Sequence, residues 1–290
     1  MRRLTLLTLL CLVAIPALAA LTPEQAAENQ PVAPFRIIGD VYYVGASDVA
    51  SYLISTPGGL ILLDGGFAQT APQIERNIRR LGFEPSAVKI LLNGHAHPDH
   101  AGGLAALKRD TGAQFYAMDE EVKPLEHNGR GTTFYHGDRK LYESIHVDHV
   151  LHDGDRVSLA GVTLMAHLTA GHTPGCTTWT MEAVEGGTAH DVVFMCQLTL
   201  LDDEPLTHNA NYPRIATDYA HTFALLSRMP CDVFLSEHGR TFDLKGKLAR
   251  LAAHPAVNPF IDPAGCRRVI AQSKAEFEAA LAQQRRASSP

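Results

Sequence analysis

The chain lacks what would place it among binders of nucleic acid or anionic membranes. With 25 Lys and Arg against 31 Asp and Glu, it carries a formal charge of −6 and has no basic run. That excludes the electrostatic footprint of a polyanion partner. Charged residues are scarce at 19% while hydrophobic ones reach 46%, a balance that argues against disorder and fills a sizeable core in 290 residues. No C-x-x-C pair occurs among the five cysteines, which leaves out a thiolate zinc site, and no repeat of 20 to 50 residues is visible.

The N-terminal stretch "MRRLTLLTLLCLVAIPALAA" has Arg2 and Arg3, an apolar run from Leu4 to about Ile15, and small residues at Ala17 and Ala19. This order predicts a secretory signal over 1–19, cut after Ala19, and the run is short for a membrane span. Leu10 stands before Cys11 where a lipobox wants a small residue, so no lipid anchor is expected. The expected mature chain, 20–290, is one domain in the periplasm or outside the cell. It keeps Cys176, Cys196, Cys231 and Cys266, an even number that argues for two disulfides, with three pairings open.

Residues 20–35 carry prolines and polar residues without periodicity and read as an irregular arm. "VYYVG", "ASYLIST" and "LILLDGG" read as successive strands, followed by a helix in "APQIERNIRRLGF" and a buried strand in "VKILLN". "AGGLAALKRDTG" reads as a helix and "AQFYAM" as a strand. Further strands are expected near 148–152, 156–159, 162–168, 177–183 and 190–197, then a helix in "IATDYAHTFALLSRM", the strand "CDVFLS" and a terminal helix in "AGCRRVIAQSKAEFEAALAQQ". Two strand-rich halves that each carry helices suggest an α+β sandwich, two sheets face to face with helices outside.

The densest chemistry is in "NGHAHPDHAGG", which delivers His95, His97, Asp99 and His100 directly after an apolar strand. In extended backbone, residues two apart share a face, so His95 and His97 can hold one ion. Pro98 then turns the chain and aims Asp99 and His100 elsewhere, toward a second ion. His172 in "AGHTPGC" and His238 in "LSEHGR" also end strands, although His172 beside Gly171 and Pro174 also suits a turn, and His238 taken alone is evenly balanced. Imidazoles with a carboxylate and no thiolate suit Zn²⁺, and three protein ligands per ion leave a position open for water or substrate. Asp64, in "LLDGG", reads either as a turn cap or as an acceptor behind the metal loop.

"LLDGG", "HAHPDH" and "AGHTPG" resemble the metallo-β-lactamase superfamily, whose fold is an αβ/βα sandwich with metals at one edge. "VYYVG", "ASYLIST", "NYPRIATDYAHTFALLSRMPCDVFLSEHGRTFDL" and "NPFIDPAGCR" look more narrowly like the third subclass of the class B enzymes, over roughly residues 35 to 285. The resemblance implies two zinc ions per chain, the first on His95, His97 and His172 and the second on Asp99, His100 and His238. It implies hydrolysis of a β-lactam by a zinc-held hydroxide, with Asp99 and His172 central to catalysis, a small-molecule substrate as the only partner, and a monomer. Thr199 matches a family Ser or Thr that contacts the substrate carboxylate, and Gln197 stands where the subclass usually has Ser. Cys231 and Cys266 match a pairing seen in the subclass, and by the same resemblance Cys176 and Cys196 are expected to pair beside the site. "HNGRGTTF" resembles a loop over the site.

Three other readings stay open: a lactone or thioester hydrolase of the same superfamily, a non-catalytic periplasmic zinc binder, and an iron-dependent sulfur dioxygenase. Glyoxalase II and the superfamily's lactonases carry a bridging Asp after a strand, where "VVFMCQLTL" has Gln197. The dioxygenases lack a complete second site, which His100 and His238 would supply here.

Overall fold

The computed structural model describes residues 20–131, 139–201 and 204–288. The expected signal segment therefore lies outside the described residues, as does part of the "HNGRGTTF" loop. Seven strands form the first sheet in chain order: β1 (Phe35–Ile38), β2 (Val41–Tyr43), β3 (Tyr52–Thr56), β4 (Gly59–Leu63), β5 (Val88–Leu92), β6 (Gln114–Met118) and β7 (His149–Leu151). The first four pair antiparallel and the last four run parallel. The second sheet contains β8 (Arg156–Leu159), β9 (Val162–Leu168), β10 (Thr177–Glu185), β11 (Thr188–Met195) and β12 (Val233–Ser236), in the order β12-β11-β10-β9-β8.

Alternation along the strands sorts their side chains between two cores. In β4, Ile61 and Leu63 enter the core between the sheets, where they join Trp179, Phe194 and Phe234 of the second sheet. Leu60 and Leu62 face the other way, onto Ile74 and Ile78 of α2 (Ala71–Arg80) and Leu104 and Leu107 of α4 (Leu104–Thr111). Across the molecule, Tyr219 and Phe223 of α6 (Ile215–Leu226) pack their rings against Phe277 of α8 (Pro263–Ala287). The two sheets with helices outside form the αβ/βα sandwich expected from the sequence.

The N-terminal arm is a correction. Pro23–Glu28 is an α-helix, α1, with a reciprocal capping box between Thr22 and Gln25 and a proline in its first turn. "TPEQ" carries that signal, but six residues with none buried have no apolar periodicity to report it. Three further α-helices are not expected from sequence, α3 (Pro98–Ala101), α5 (Asp119–Glu126) and α7 (Leu244–Ala253). Among the described residues, no helix is long and apolar enough to cross a membrane.

One buried charge has a measurable consequence. Lys247 on α7 is 1% exposed; its Nζ lies 5.7 to 5.8 Å from the ring centres of Phe234, Phe242 and Phe260 and 3.7 Å from the Asp262 carboxylate. Burial lowers its pKa below the ordinary 10.5, and Asp262 only partly opposes this. The folded state therefore disfavours the cation at neutral pH, and it gains stability as pH rises from the depressed pKa to the unfolded one. Lys247→Met keeps the volume, sets a thioether over the same rings, and leaves Asp262 open enough to be hydrated. The variant is expected to be more stable by about 1 kcal/mol at pH 7, a Tm increase of roughly 2 to 4 °C. That advantage should shrink as pH climbs toward 10.5, which paired thermal melts across pH would read.

Candidate metal centre

Strands β4, β5, β9, β11 and β12 deliver their C-terminal ends to one edge of the sandwich, and every candidate ligand follows one of those ends. After β5 the chain is extended through His97, with φ −73° and ψ 154°, and then enters α3 (Pro98–Ala101), a four-residue helix with proline in its first turn. That change of backbone separates His95 and His97 from Asp99 and His100. The paired glycines that follow allow a close crossing, since a Cβ on Gly103 would overlap the Gly65 carbonyl of the "LLDGG" turn.

Two groups of three converge. His95, His97 and His172 form the first, and the rings of His95 and His97 are centred 4.6 Å apart, those of His95 and His172 4.9 Å, and those of His97 and His172 4.8 Å. His172 Nε2 comes within 3.2 Å of His97 Nδ1. Asp99, His100 and His238 form the second, in which Asp99 Oδ2 lies 3.2 Å from His100 Nε2 and 3.3 Å from His238 Nε2. The groups adjoin, with the rings of His95 and His100 centred 4.5 Å apart. His95 Nε2 is buried without a hydrogen-bond partner among the described residues. An orphaned ring nitrogen among converging donors, with one carboxylate and no free thiol, fits a divalent ion such as zinc in each group.

Behind this layer a second one holds the rings. The Nδ1–H of His172 donates to the Thr199 carbonyl (2.7 Å), and His238 Nδ1 lies 2.9 Å from Asp48 Oδ2. His95 Nδ1 lies 2.9 Å from Glu237 Oε1. Asp64 takes the unusual positive φ of 63°, and its Oδ1 accepts from the Gly94 N–H (2.8 Å) and the Asn93 amide (3.0 Å). Asp64 Oδ2 is 4.0 Å from His100 Nδ1, so the residue both ties down the metal loop and faces a candidate ligand. Glu121 on α5 joins the two histidine loops by accepting from the Ala96 N–H (2.8 Å), the Gly175 N–H (3.0 Å) and the Thr173 hydroxyl.

The electrostatics separate the two groups. Burial, and then neighbouring histidines, hold His95 and His97 well below the ordinary imidazole pKa, and burial takes His172 down to about 4. All three are neutral at pH 7 and can each offer a lone pair. Burial alone would raise Asp99, but His100 and His238 hold it well below the ordinary carboxylate range. For His238, burial is outweighed by Asp48 and Asp99, and its pKa rises. The second group therefore keeps an anion where the first has none.

The sequence-predicted residues are not all brought into the cluster. The Gln197 backbone N–H donates to Glu237 Oε2 (2.7 Å). Thr199 contributes its carbonyl to His172 and to the Tyr219 hydroxyl (3.0 Å). Both residues line a 240 Å³ cavity with Arg240, Gln272 and Ser273, to which none of the six candidate ligands contributes. Cys176 pairs with Cys196, whose Sγ lies 3.8 Å from His95 Nδ1, and Cys231 pairs with Cys266. Sequence reasoning missed Asp48, Glu121 and Glu237. Only Glu237 carried a usable signal, an acid next to a candidate ligand at the end of an apolar strand.

A layered sandwich with two adjoining sets of three metal-competent side chains at one edge defines a metallohydrolase type of site. The family description "Metallo-beta-lactamase superfamily" matches residues 44–238, and the chain belongs to that superfamily. It is similar to the FEZ-1 metallo-β-lactamase from Legionella gormanii, with 43% identity and a TM-score of 0.86 over 89% of this chain and 98% of that one. It is also similar to BJP-1, a subclass B3 metallo-β-lactamase of Bradyrhizobium japonicum, with 36% identity and a TM-score of 0.82 over 90% and 98%. A probable metallo-hydrolase of Burkholderia pseudomallei is 30% identical over 160 residues, 52% of this chain and 53% of that protein. The chain thus spans about half the length of the curated relatives it matches.

Proposed function

We propose that the chain is a zinc-dependent β-lactamase that opens the amide bond of penicillins, cephalosporins or carbapenems. The observation that carries this reading is the second cluster: Asp99, His100 and His238 converge beside the three-histidine group, while Gln197 stands where the lactonase branch needs a bridging carboxylate. Glu237, whose Oε2 accepts the Gln197 N–H, faces Nδ1 of His95 and not the converging nitrogens. The proteins of known structure that it resembles along nearly their whole length are named as metallo-β-lactamases, which supports the same reading.

Two zinc ions held by these residues would supply a Lewis acid for the lactam carbonyl and a water acidified to near neutral pH. The chain's own residues prepare that chemistry. His95, His97 and His172 enter it uncharged, so metal entry displaces no proton from them at pH 7. Asp99 stays ionised and can accept a hydrogen bond from the attacking water. Thr199, exposed at the end of the 197–199 segment, offers a hydroxyl to the carboxylate that adjoins the lactam ring, and Gln197 is the second candidate for that contact. Export through the 1–19 leader and action as a monomer complete the proposal.

The test is turnover of a penicillin, a cephalosporin and a carbapenem beside a lactone and a thioester, with and without a chelator and after zinc is restored. The expected result is lactam hydrolysis that falls by at least about 10³-fold on chelation and returns with zinc. Turnover that survives exhaustive chelation, or that is confined to the lactone or thioester, would overturn the reading. Tight zinc uptake without any turnover would point to a binding protein.

A further inference from the structure

Glu237 is 4% exposed and touches the first histidine group from behind. Its Oε1 is 2.9 Å from His95 Nδ1, and its Oε2 accepts the Gln197 N–H at 2.7 Å. With the Glu237 carboxyl group engaging Nδ1 as the acceptor of its N–H, Nε2 is the ring nitrogen left to present a lone pair. Nε2 is the atom left without a partner inside the cluster. The same side chain steadies the 197–199 segment, whose Thr199 carbonyl holds His172.

Glu237 differs from the Thr199 carbonyl in being a carboxyl group and from Asp48 in depth. His172 is held by a neutral carbonyl, and His238 by Asp48, whose side chain is 15% exposed against 5% for Glu237. Asp99 is the only anion among the six candidate ligands, too little to balance two dications in a buried setting. Glu237 behind His95 and Asp64 behind His100 place two further carboxyl groups against the ligand set. The backbone makes room for it: Gly94 is outside the left-handed region, yet a Cβ there would overlap Glu237 Oε1, so glycine serves space and not conformation.

We propose that Glu237 is the positioning residue of the first metal site, fixing the His95 ring with Nε2 toward the ion and raising that site's affinity, and that Gly94 is glycine to admit its carboxylate. This rests on the two-metal reading above. In Glu237→Gln the shape is kept, but one amide oxygen cannot serve both N–H groups, and the NH₂ is left facing a donor. Zinc titration against a chromophoric chelator should show the first site weakened by about 10- to 100-fold and the second little changed. Nitrogen NMR of the metal-free protein should show His95 as the Nδ1–H tautomer in the wild type and as a mixture in the variant. Gly94→Ala should reproduce the loss of affinity, and its cost in thermal stability should be smaller in a Glu237→Ala background.

Unchanged first-site affinity and an unchanged His95 tautomer in a folded Glu237→Gln protein would overturn the proposal while the two-metal reading stood. A wild type that takes up no zinc would sink that reading and the affinity claim with it. The tautomer would still report on the Glu237–His95 contact.

Discussion

Replacing His172 with alanine is expected to lower β-lactam turnover by about 10³-fold or more, roughly 4 kcal/mol in the barrier, and to leave the purified protein with one zinc in place of two. The size follows from the position of the ring. His172 comes from a different sheet from His95 and His97, and its Nε2 reaches to 3.2 Å from His97 Nδ1, so it closes the first group across the sandwich. Without it, two histidines remain from one turn, too few to hold an ion tightly in a buried pocket. The fold should survive, because the ring's other anchor is the Thr199 carbonyl, which the Tyr219 hydroxyl also engages. His167→Ala is the control: His167 contacts Thr180 on the neighbouring strand and belongs to neither group, so both zinc ions and turnover should persist. Steady-state hydrolysis of a chromogenic cephalosporin, with metal analysis of the same samples, reads both variants. Full activity in His172→Ala would mean that the three-histidine group is not the reacting centre.

How much was legible in the chain follows from the range of the physics. Alternation is local, so β4 with Leu60 and Leu62 on one face and Ile61 and Leu63 on the other is readable from five residues. The "HAHPDH" turn is readable for the same reason, because two-residue spacing and a proline act within six positions. His172 and His238 were visible as strand-end histidines, but whether they converge depends on the packing of two sheets, which no local pattern states. The backing carboxylates were the least legible. Glu121 sits in a run of three acids that open a helix, and its neighbours look equally solvated until the "AGHTPG" loop is seen to lie on it. Asp48 reads as a turn residue, and its link to His238 spans 190 positions. Such residues answer to partners far away in sequence, so their role is a property of the fold.

The Cys231–Cys266 bond belongs to the same long-range order, and its removal is expected to be the costliest change to stability. It closes a loop of sequence separation 35 that joins the segment before β12 to the first turn of α8, and Cys266 is 1% exposed. For a loop of that length, the entropy withheld from the unfolded chain corresponds to about 3 to 4 kcal/mol. Cys231→Ser with Cys266→Ser should therefore lower the Tm by on the order of 10 °C. The consequence reaches the metal centre, because β12 carries Glu237 and His238 at its far end and pairs with β11 along Val192 to Met195. That pairing leaves His238 its register in the folded state, so turnover at low temperature should stay near the wild-type value while thermal inactivation sets in earlier. Calorimetry, together with residual activity after heating, distinguishes this outcome from direct damage to the site. A double serine variant with an unchanged Tm would show that the bridge constrains nothing the unfolded chain would otherwise explore.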